Sequence, residues 1–292
     1  MYIATLLAAP SAANLDAATL DGIVAGWAGS APRWLKPGVA AEFDLEAMPA
    51  DRWAVWEALQ AQRIDMVVQP AAGRRKKMLL ADMDSTMIQQ ECIDELADVA
   101  GVGARVKEIT ARAMNGELDF EGALTERVGL LKGLPETVIA RVIEERLSFT
   151  PGGRELIATM KADGAYCALV SGGFTAFTGH VAGALGFHEN RANTLLIEDG
   201  VLTGVPARPI LGREAKVQAF HEISERLGLR ADEVMAVGDG ANDLGMLHLA
   251  GTGVALHAKP SVAAQCDVRV NFGDLTALLY LQGYAETDFV TA

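Results

Sequence analysis

The sequence has few cysteines, few aromatic residues, a deficit of positive charge and no long apolar run. Three cysteines in 292 residues, Cys92, Cys167 and Cys266, are too few and too scattered for a disulfide framework or a thiolate zinc site. They suit buried packing in a reducing compartment, so the expected location is the cytoplasm. Lys and Arg number 25 against 38 Asp and Glu, a formal net charge of −13. Such a surface repels a phosphate backbone and disfavours general nucleic-acid binding. No apolar stretch reaches the roughly 18 residues needed to span a bilayer, so no membrane partner is expected. Residues 3–9 followed by small residues imitate a secretory leader, but the first basic residue is Arg33 and the positive flank of a leader is missing. What remains is a half-apolar chain with 22% charged residues and 10 prolines, a mixture that buries a core. At roughly 150 residues per domain, its length suits two domains, or one carrying an insertion.

Residues 2–8 predict a strand and 15–27 an amphipathic helix with Asn14 as N-cap. Extended segments follow at 34–35 and 39–45, then a helix at 50–62 and a strand at 64–69. The order β-α-β-β-α-β is that of a ferredoxin-like module, placed at residues 1–72. Residues 70–77, PAAGRRKK, turn small and basic, as in a solvated linker. From Met78 onward short buried strands alternate with helices, the rhythm of an α/β fold with a parallel sheet covered on both faces. Strands at 78–81, 165–170, 234–237 and 253–256 run into Asp82, Ser171, Gly238-Asp239 and His257. Ligands bind at the carboxyl ends of such strands. Residues 88–146 show helical periodicity without a strand signal and predict an inserted helical cap. Asp199-Gly200 predicts a hairpin turn between 194–198 and 201–204.

Three motifs at strand ends carry chemistry. In Asp82-Met83-Asp84-Ser85-Thr86 two carboxylates sit two apart and point to one side of an extended chain. A hard cation such as Mg²⁺ compensates such a pair, although a lone pair of this kind also suits an Asx turn or a helix cap. Val237-Gly238-Asp239-Gly240-Ala241-Asn242-Asp243 adds two carboxylates and an amide among glycines that permit tight turns. Ser171-Gly172-Gly173 offers a hydroxyl and unobstructed N–H groups, a natural phosphate cradle that is equally a plain turn. Lys216 lies near the start of a predicted helix, where a solvated lysine is the ordinary alternative.

Taken in order, Asp82 to Thr86, Ser171, Lys216 and Asp239 to Asp243 resemble the four motifs of the haloacid dehalogenase superfamily of phosphatases. Within it, Glu91, Ala113-Met114-Asn115-Gly116, Asp119-Phe120 and the run from Arg127 to Pro135 resemble the phosphoserine phosphatase family, over roughly residues 77–281. The resemblance implies a Rossmann-like α/β core with a helical cap at about 88–147, together forming a second domain at 73–292. It implies hydrolysis of a small-molecule substrate, O-phospho-L-serine, with one Mg²⁺ per active site and a possible homodimer. Asp82 is implied as nucleophile and Asp84 as general acid and base, with Ser171, Gly172 and Lys216 on the phosphoryl oxygens. The metal is implied to lie on Asp82, Asp239 and the backbone carbonyl of Asp84, with Asp243 and Asn242 behind. Phosphoserine is a zwitterion, and Glu91 and Arg127 are implied to meet its ammonium and carboxylate. Met114 and Phe120 are expected to close the pocket, Phe120 as a core aromatic in any case. Two rivals stay open: a phosphatase or phosphotransferase for another small phosphomonoester, and a non-catalytic serine sensor.

Overall fold

The computed structural model describes residues 1–114 and 117–291. Strands β1 (Tyr2–Ala8), β2 (Arg33–Lys36), β3 (Ala40–Leu45) and β4 (Ile64–Pro70) form an antiparallel sheet in the order β2-β3-β1-β4. Helices α1 (Ala17–Gly26) and α2 (Arg52–Gln60) complete the β-α-β-β-α-β order. Successive residues of a strand face opposite ways, and here both faces are covered. Leu6 and Met66 pack with Leu20 and Leu59 of the helices, whereas Leu7 and Val67 join the main core. Helix α1 is capped by Asp16, whose carboxylate accepts the Thr19 N–H at 2.7 Å, and not by the expected Asn14. The Asn14 amide donates instead to the Gln62 carbonyl at 2.8 Å, closing the far end of the module.

The basic segment at 70–77 is docked, against the expectation of a solvated linker. The Arg74 guanidinium donates to both oxygens of Glu42, at 2.6 and 2.9 Å, and Arg33 also pairs with that buried carboxylate. Lys76 donates to the Asp232 carbonyl at 2.8 Å and Lys77 pairs with Glu233 at 2.7 Å. A buried carboxylate requires partners, and Glu42, in the middle of β3, claims Arg74 from a run that composition alone marks as loop.

The second sheet is parallel throughout and contains β5 (Met78–Ala81), β6 (Tyr166–Phe174) and β7 (Glu189–Asn193). A hairpin of β8 (Leu195–Glu198) and β9 (Val201–Pro206) stands beside it, turned by Asp199 and Gly200, both at positive φ. The sheet continues with β10 (Val234–Gly238), β11 (Thr252–Leu256) and β12 (Val268–Val270), and its full order is β12-β11-β10-β5-β6-β7. Leu79 and Ala81 face one hydrophobic layer, Met78 and Leu80 the other. β7 and β12 were not expected, since ENRAN is a polar edge sequence and VRV is only three residues long. Between β5 and β6 lie helices α3 (Cys92–Val99), α4 (Gly103–Met114), α5 (Phe120–Gly129), α6 (Thr137–Arg146) and α7 (Gly153–Ala162). The remaining helices are α8 (Thr175–Leu185), α9 (Arg213–Leu227), α10 (Leu244–Leu249), α11 (Pro260–Ala263) and α12 (Ala277–Leu281). Among the described residues no helix is long and apolar enough to cross a membrane.

The chain leaves β5 towards β6 and β7 on one side, then returns to build β10, β11 and β12 on the other. Such a reversal opens a crevice at the carboxyl ends of the central strands. Asp82, Ser171 and Asp239 all stand at that crevice.

Candidate active site

The end of β5 is tied to its neighbour by the Asp82 N–H, which donates to the Val237 carbonyl at 3.0 Å. Beyond it the Met83 carbonyl accepts the N–H groups of Thr86, Met87 and Ile88 within 3.2 Å, with Ser85 at a φ of 55°. This tight loop places Asp84 against the start of α3, where its Oδ1 accepts the Cys92 N–H at 3.1 Å. The other oxygen of Asp84 is 3.5 Å from the Ser171 hydroxyl. Ser171 is not in a turn beyond the end of β6, where the expected strand at 165–170 would put it. The strand runs on to Phe174, and its pairing with β7 skips from Val170 to Phe174, so Ser171, Gly172 and Gly173 form an irregular bulge. The Gly173 N–H donates to Ser171 Oγ at 2.8 Å. At Gly173 a Cβ would lie 2.8 Å from Asp84 Oδ2 and 3.0 Å from Ser171 Oγ, so glycine keeps the space between the two open.

Lys216, in the first turn of α9, reaches down to Asp82 Oδ1 at 2.6 Å and Asp243 Oδ1 at 2.5 Å, itself 2% exposed. Burial alone lowers the pKa of its ammonium, but the Asp82 and Asp243 carboxylates outweigh burial and hold it above the ordinary lysine value. Asp243 also accepts the Gly240 N–H at 2.9 Å, and a Cβ at Gly238 would fall 2.4 Å from its carboxyl carbon. Oxygens of Asp82, Asp239 and Asp243 lie within 4.8 Å of one another. The carboxylate of Asp84 is outside that group and faces Cys92 and Ser171. Burial first, then Asp243, pushes Asp82 well above its ordinary value despite Lys216. Burial and the Asp243 and Glu91 charges raise Asp239 to about 6. Burial and Glu91 likewise raise Asp84 to about 6. Three carboxylates around one ammonium leave net negative charge in a buried place. Their all-oxygen donor set fits a hard divalent cation.

Above this cluster is a cavity of about 450 Å³ lined by Asp82, Asp84, Ser171, Gly172, Asp239 and Asn242 on the core side. Glu91, Phe120 and Arg127 line it from the cap side. Lys216 and Asp243 are beneath the floor and not in the lining. Glu91 Oε1 accepts the Ser85 hydroxyl at 2.7 Å. Arg127 is largely enclosed, and burial lowers its pKa against the opposing pull of Asp94 and Glu91. Phe120 is 37% exposed and so is not a core aromatic. Its ring lies over the backbone of Gly172 and Gly212, where a Cβ would come within 3.2 and 3.1 Å of ring carbons. It bridges cap and core across glycines instead of filling the cap interior. The side chain of Met114, with Asn115 and Gly116, lies outside the described residues.

Several residues of the site carried no assignment from sequence. Asp94 lines the cavity beside Arg127, one helical turn after Glu91, a spacing that was there to be read. Lys259 lines the rim. Asn193, buried on β7, donates to the carbonyls of Gly172 at 2.8 Å and Leu211 at 3.1 Å and accepts the Leu211 N–H at 2.7 Å. It fastens the serine-glycine bulge to the segment that leads into α9. Only the unforeseen strand β7 brings it there, so no local signal marks it.

A parallel sheet with a reversal beside β5, an acid at the end of that strand and a buried lysine returning to it define a class of hydrolase. The family description "haloacid dehalogenase-like hydrolase" matches residues 79–248, and the chain belongs to that family. A phosphoserine phosphatase of Haemophilus influenzae is 47% identical over 204 residues, 70% of this chain and 65% of that protein's length. A phosphoserine phosphatase of Albidiferax ferrireducens is 44% identical over 70% of this chain and 89% of its own. In three dimensions a haloacid dehalogenase family hydrolase of Salmonella enterica serovar Typhi superposes with a TM-score of 0.87 at 30% identity, covering 97% of this chain and 99% of that one. That last likeness takes in the N-terminal sheet as well as the core.

Proposed function

We propose that the protein hydrolyses O-phospho-L-serine to serine and phosphate. The observation that carries this is one cavity whose lining combines two kinds of groups: Asp82, Asp84 and the serine-glycine bulge, and with them Glu91 and Arg127. The first set suits a phosphoryl group, the second a zwitterion. A carboxylate for the ammonium and a guanidinium fork for the carboxylate satisfy both charges of an amino acid. The phosphoserine phosphatases at 47% and 44% identity support the same substrate.

Asp82 attacks phosphorus through a carboxylate oxygen, and the bond from phosphorus to the serine oxygen breaks. The proton on Asp84 goes to that oxygen, so serine leaves neutral at its hydroxyl. Water then attacks the aspartyl-phosphate, returns a proton to Asp84 and releases phosphate, regenerating Asp82. One hard displacement becomes two easier ones, with one carboxyl serving as acid and then base. Lys216 fixes the Asp82 carboxylate through its 2.6 Å contact and adds positive charge below the phosphoryl oxygens. Asp82, Asp239 and Asp243 would hold Mg²⁺, which supplies the charge that lets a dianionic ester approach a buried carboxylate. The helices between Cys92 and Arg146 act as the cap, over a catalytic domain at 73–292 that follows a ferredoxin-like module at 1–72.

A panel of small phosphomonoesters, with Mg²⁺ and with EDTA, tests this. Phosphate release should be fastest from phosphoserine and should stop with EDTA. No release from phosphoserine alongside rapid release from unrelated esters would sink the assignment.

A further inference from the structure

Among the acids that this chemistry does not use, Asp65 is fully buried, on β4 of the N-terminal sheet. Its carboxylate accepts three consecutive backbone N–H groups from the catalytic half: Asn271 at 2.9 Å, Phe272 at 2.8 Å and Gly273 at 3.1 Å. Three charge-assisted bonds to successive amides fix both the position and the orientation of a turn. That turn holds something in its own right. The Gly273 carbonyl is 2.7 Å from His257 Nε2, and the His257 N–H donates to the Val270 carbonyl at 2.8 Å. His257 follows the end of β11 at a φ of 45°. Two residues on, the Lys259 N–H reaches the carbonyl of Asp239 at 3.4 Å. A continuous run of hydrogen bonds and short backbone links therefore leads from a buried acid of the N-terminal sheet to the backbone of Asp239.

We propose that Asp65 is a positioning residue for the carboxylate cluster. By clamping residues 271–273 it holds the 257–259 segment against Asp239, so that the N-terminal module braces the active site from behind its wall. This rests on the assignment of Asp82, Asp239 and Asp243 to a divalent cation. Asn in place of Asp65 presents an amide N–H₂ to backbone N–H donors, and the clamp loses one acceptor along with its charge. A residue that merely joined two sheets would lower melting temperature on substitution and leave the folded site unchanged. A positioning residue loosens the metal, and outer contacts of metal ligands are commonly worth about 10-fold or more in affinity.

The experiment is Mg²⁺ titration of the full-length protein by calorimetry, well below the melting temperature of each variant. Asp65→Asn should raise the Mg²⁺ dissociation constant about 10-fold, and Asp65→Glu should recover part of the loss. His257→Ala should weaken Mg²⁺ in the same direction, whereas His257→Gln, with a donor in place of Nε2, should keep it. The His257 pair shares one backbone cost and carries the test even if Asp65→Asn does not fold. Unchanged affinity in folded Asp65→Asn, or in His257→Ala, overturns the proposal. A wild-type protein that neither binds Mg²⁺ nor needs it for turnover overturns instead the cation assignment beneath it.

Discussion

Arg127 is largely enclosed, with Asp94 and Glu91 as counter-charges. Truncating one partner of a buried charge pair typically costs about 2 to 5 kcal/mol. Arg127→Ala should therefore lose kcat/KM for phosphoserine by that amount and erase the preference over phosphoethanolamine, which lacks the carboxylate. An unchanged preference in side-by-side kinetics would remove Arg127 from recognition. Asp84 offers a second test at this scale. As the proposed acid it needs its proton, and burial together with Glu91 raises its pKa to about 6. As pH rises through that value the protonated fraction falls, so phosphoryl transfer from phosphoserine should slow. An ester of a strongly acidic alcohol such as p-nitrophenol needs no such proton and should lack this limb. Glu91→Gln removes one of the two raising influences, so the limb should move to lower pH in a profile of kcat/KM.

Phe120 at the start of α5 rests on Gly172 of β6 and Gly212 at the entry to α9, and so ties the helical insertion to the serine-glycine bulge. Gly172→Ala should press a methyl group into the ring and hold the cap away, raising KM for phosphoserine more than it lowers kcat at saturation. Equal effects on both would place the defect in the chemistry instead. The same elements explain what the sequence made legible and what it did not. β5 and β10 are short, wholly buried apolar runs that end in acids, and periodicity with strand-end chemistry suffices to find them. The helical insertion was legible because 3.6-residue periodicity ran on without a strand. β7 was not, because a polar edge strand is defined by its partner β6 rather than by its own residues. Asn193 on that strand therefore has no signal of its own, and the bulge at Ser171 to Gly173 reads locally as a turn. Sequence alone does not place Phe120, because an aromatic at a helix start packs equally well on a cap interior or on bare glycine backbone.

The two sheets are joined by polar contacts that composition had assigned to a solvated linker. Arg74 spans from that segment to Glu42, itself 1% exposed, and Gly283 at a φ of 83° leaves room for the guanidinium. Arg74→Ala would leave Glu42 with Arg33 alone, and breaking such a pair should cost about 3 kcal/mol, the lower end because one partner stays. Urea denaturation should show this as a lower midpoint with an unchanged slope. A midpoint like the wild type would mean that Arg33 suffices.

The placement of β5 at the centre of its sheet also bears on the order in which the molecule can form. The N-terminal sheet closes within its first 70 residues, since β1 pairs with β3 and β4 nearby in the chain. β5 pairs with β6, beginning at Tyr166, and with β10, beginning at Val234. Contacts of such wide sequence separation form slowly. While the chain is synthesised, β5 has both flanks open until β6 emerges and one flank open until β10 does. The Asp82 carboxylate at its end comes together with Lys216 and Asp243 only once synthesis has passed Asp243. Half-made chains therefore expose an apolar strand before the carboxylate cluster is assembled. This interval between Met78 and Val234 is where the nascent protein is most open to aggregation.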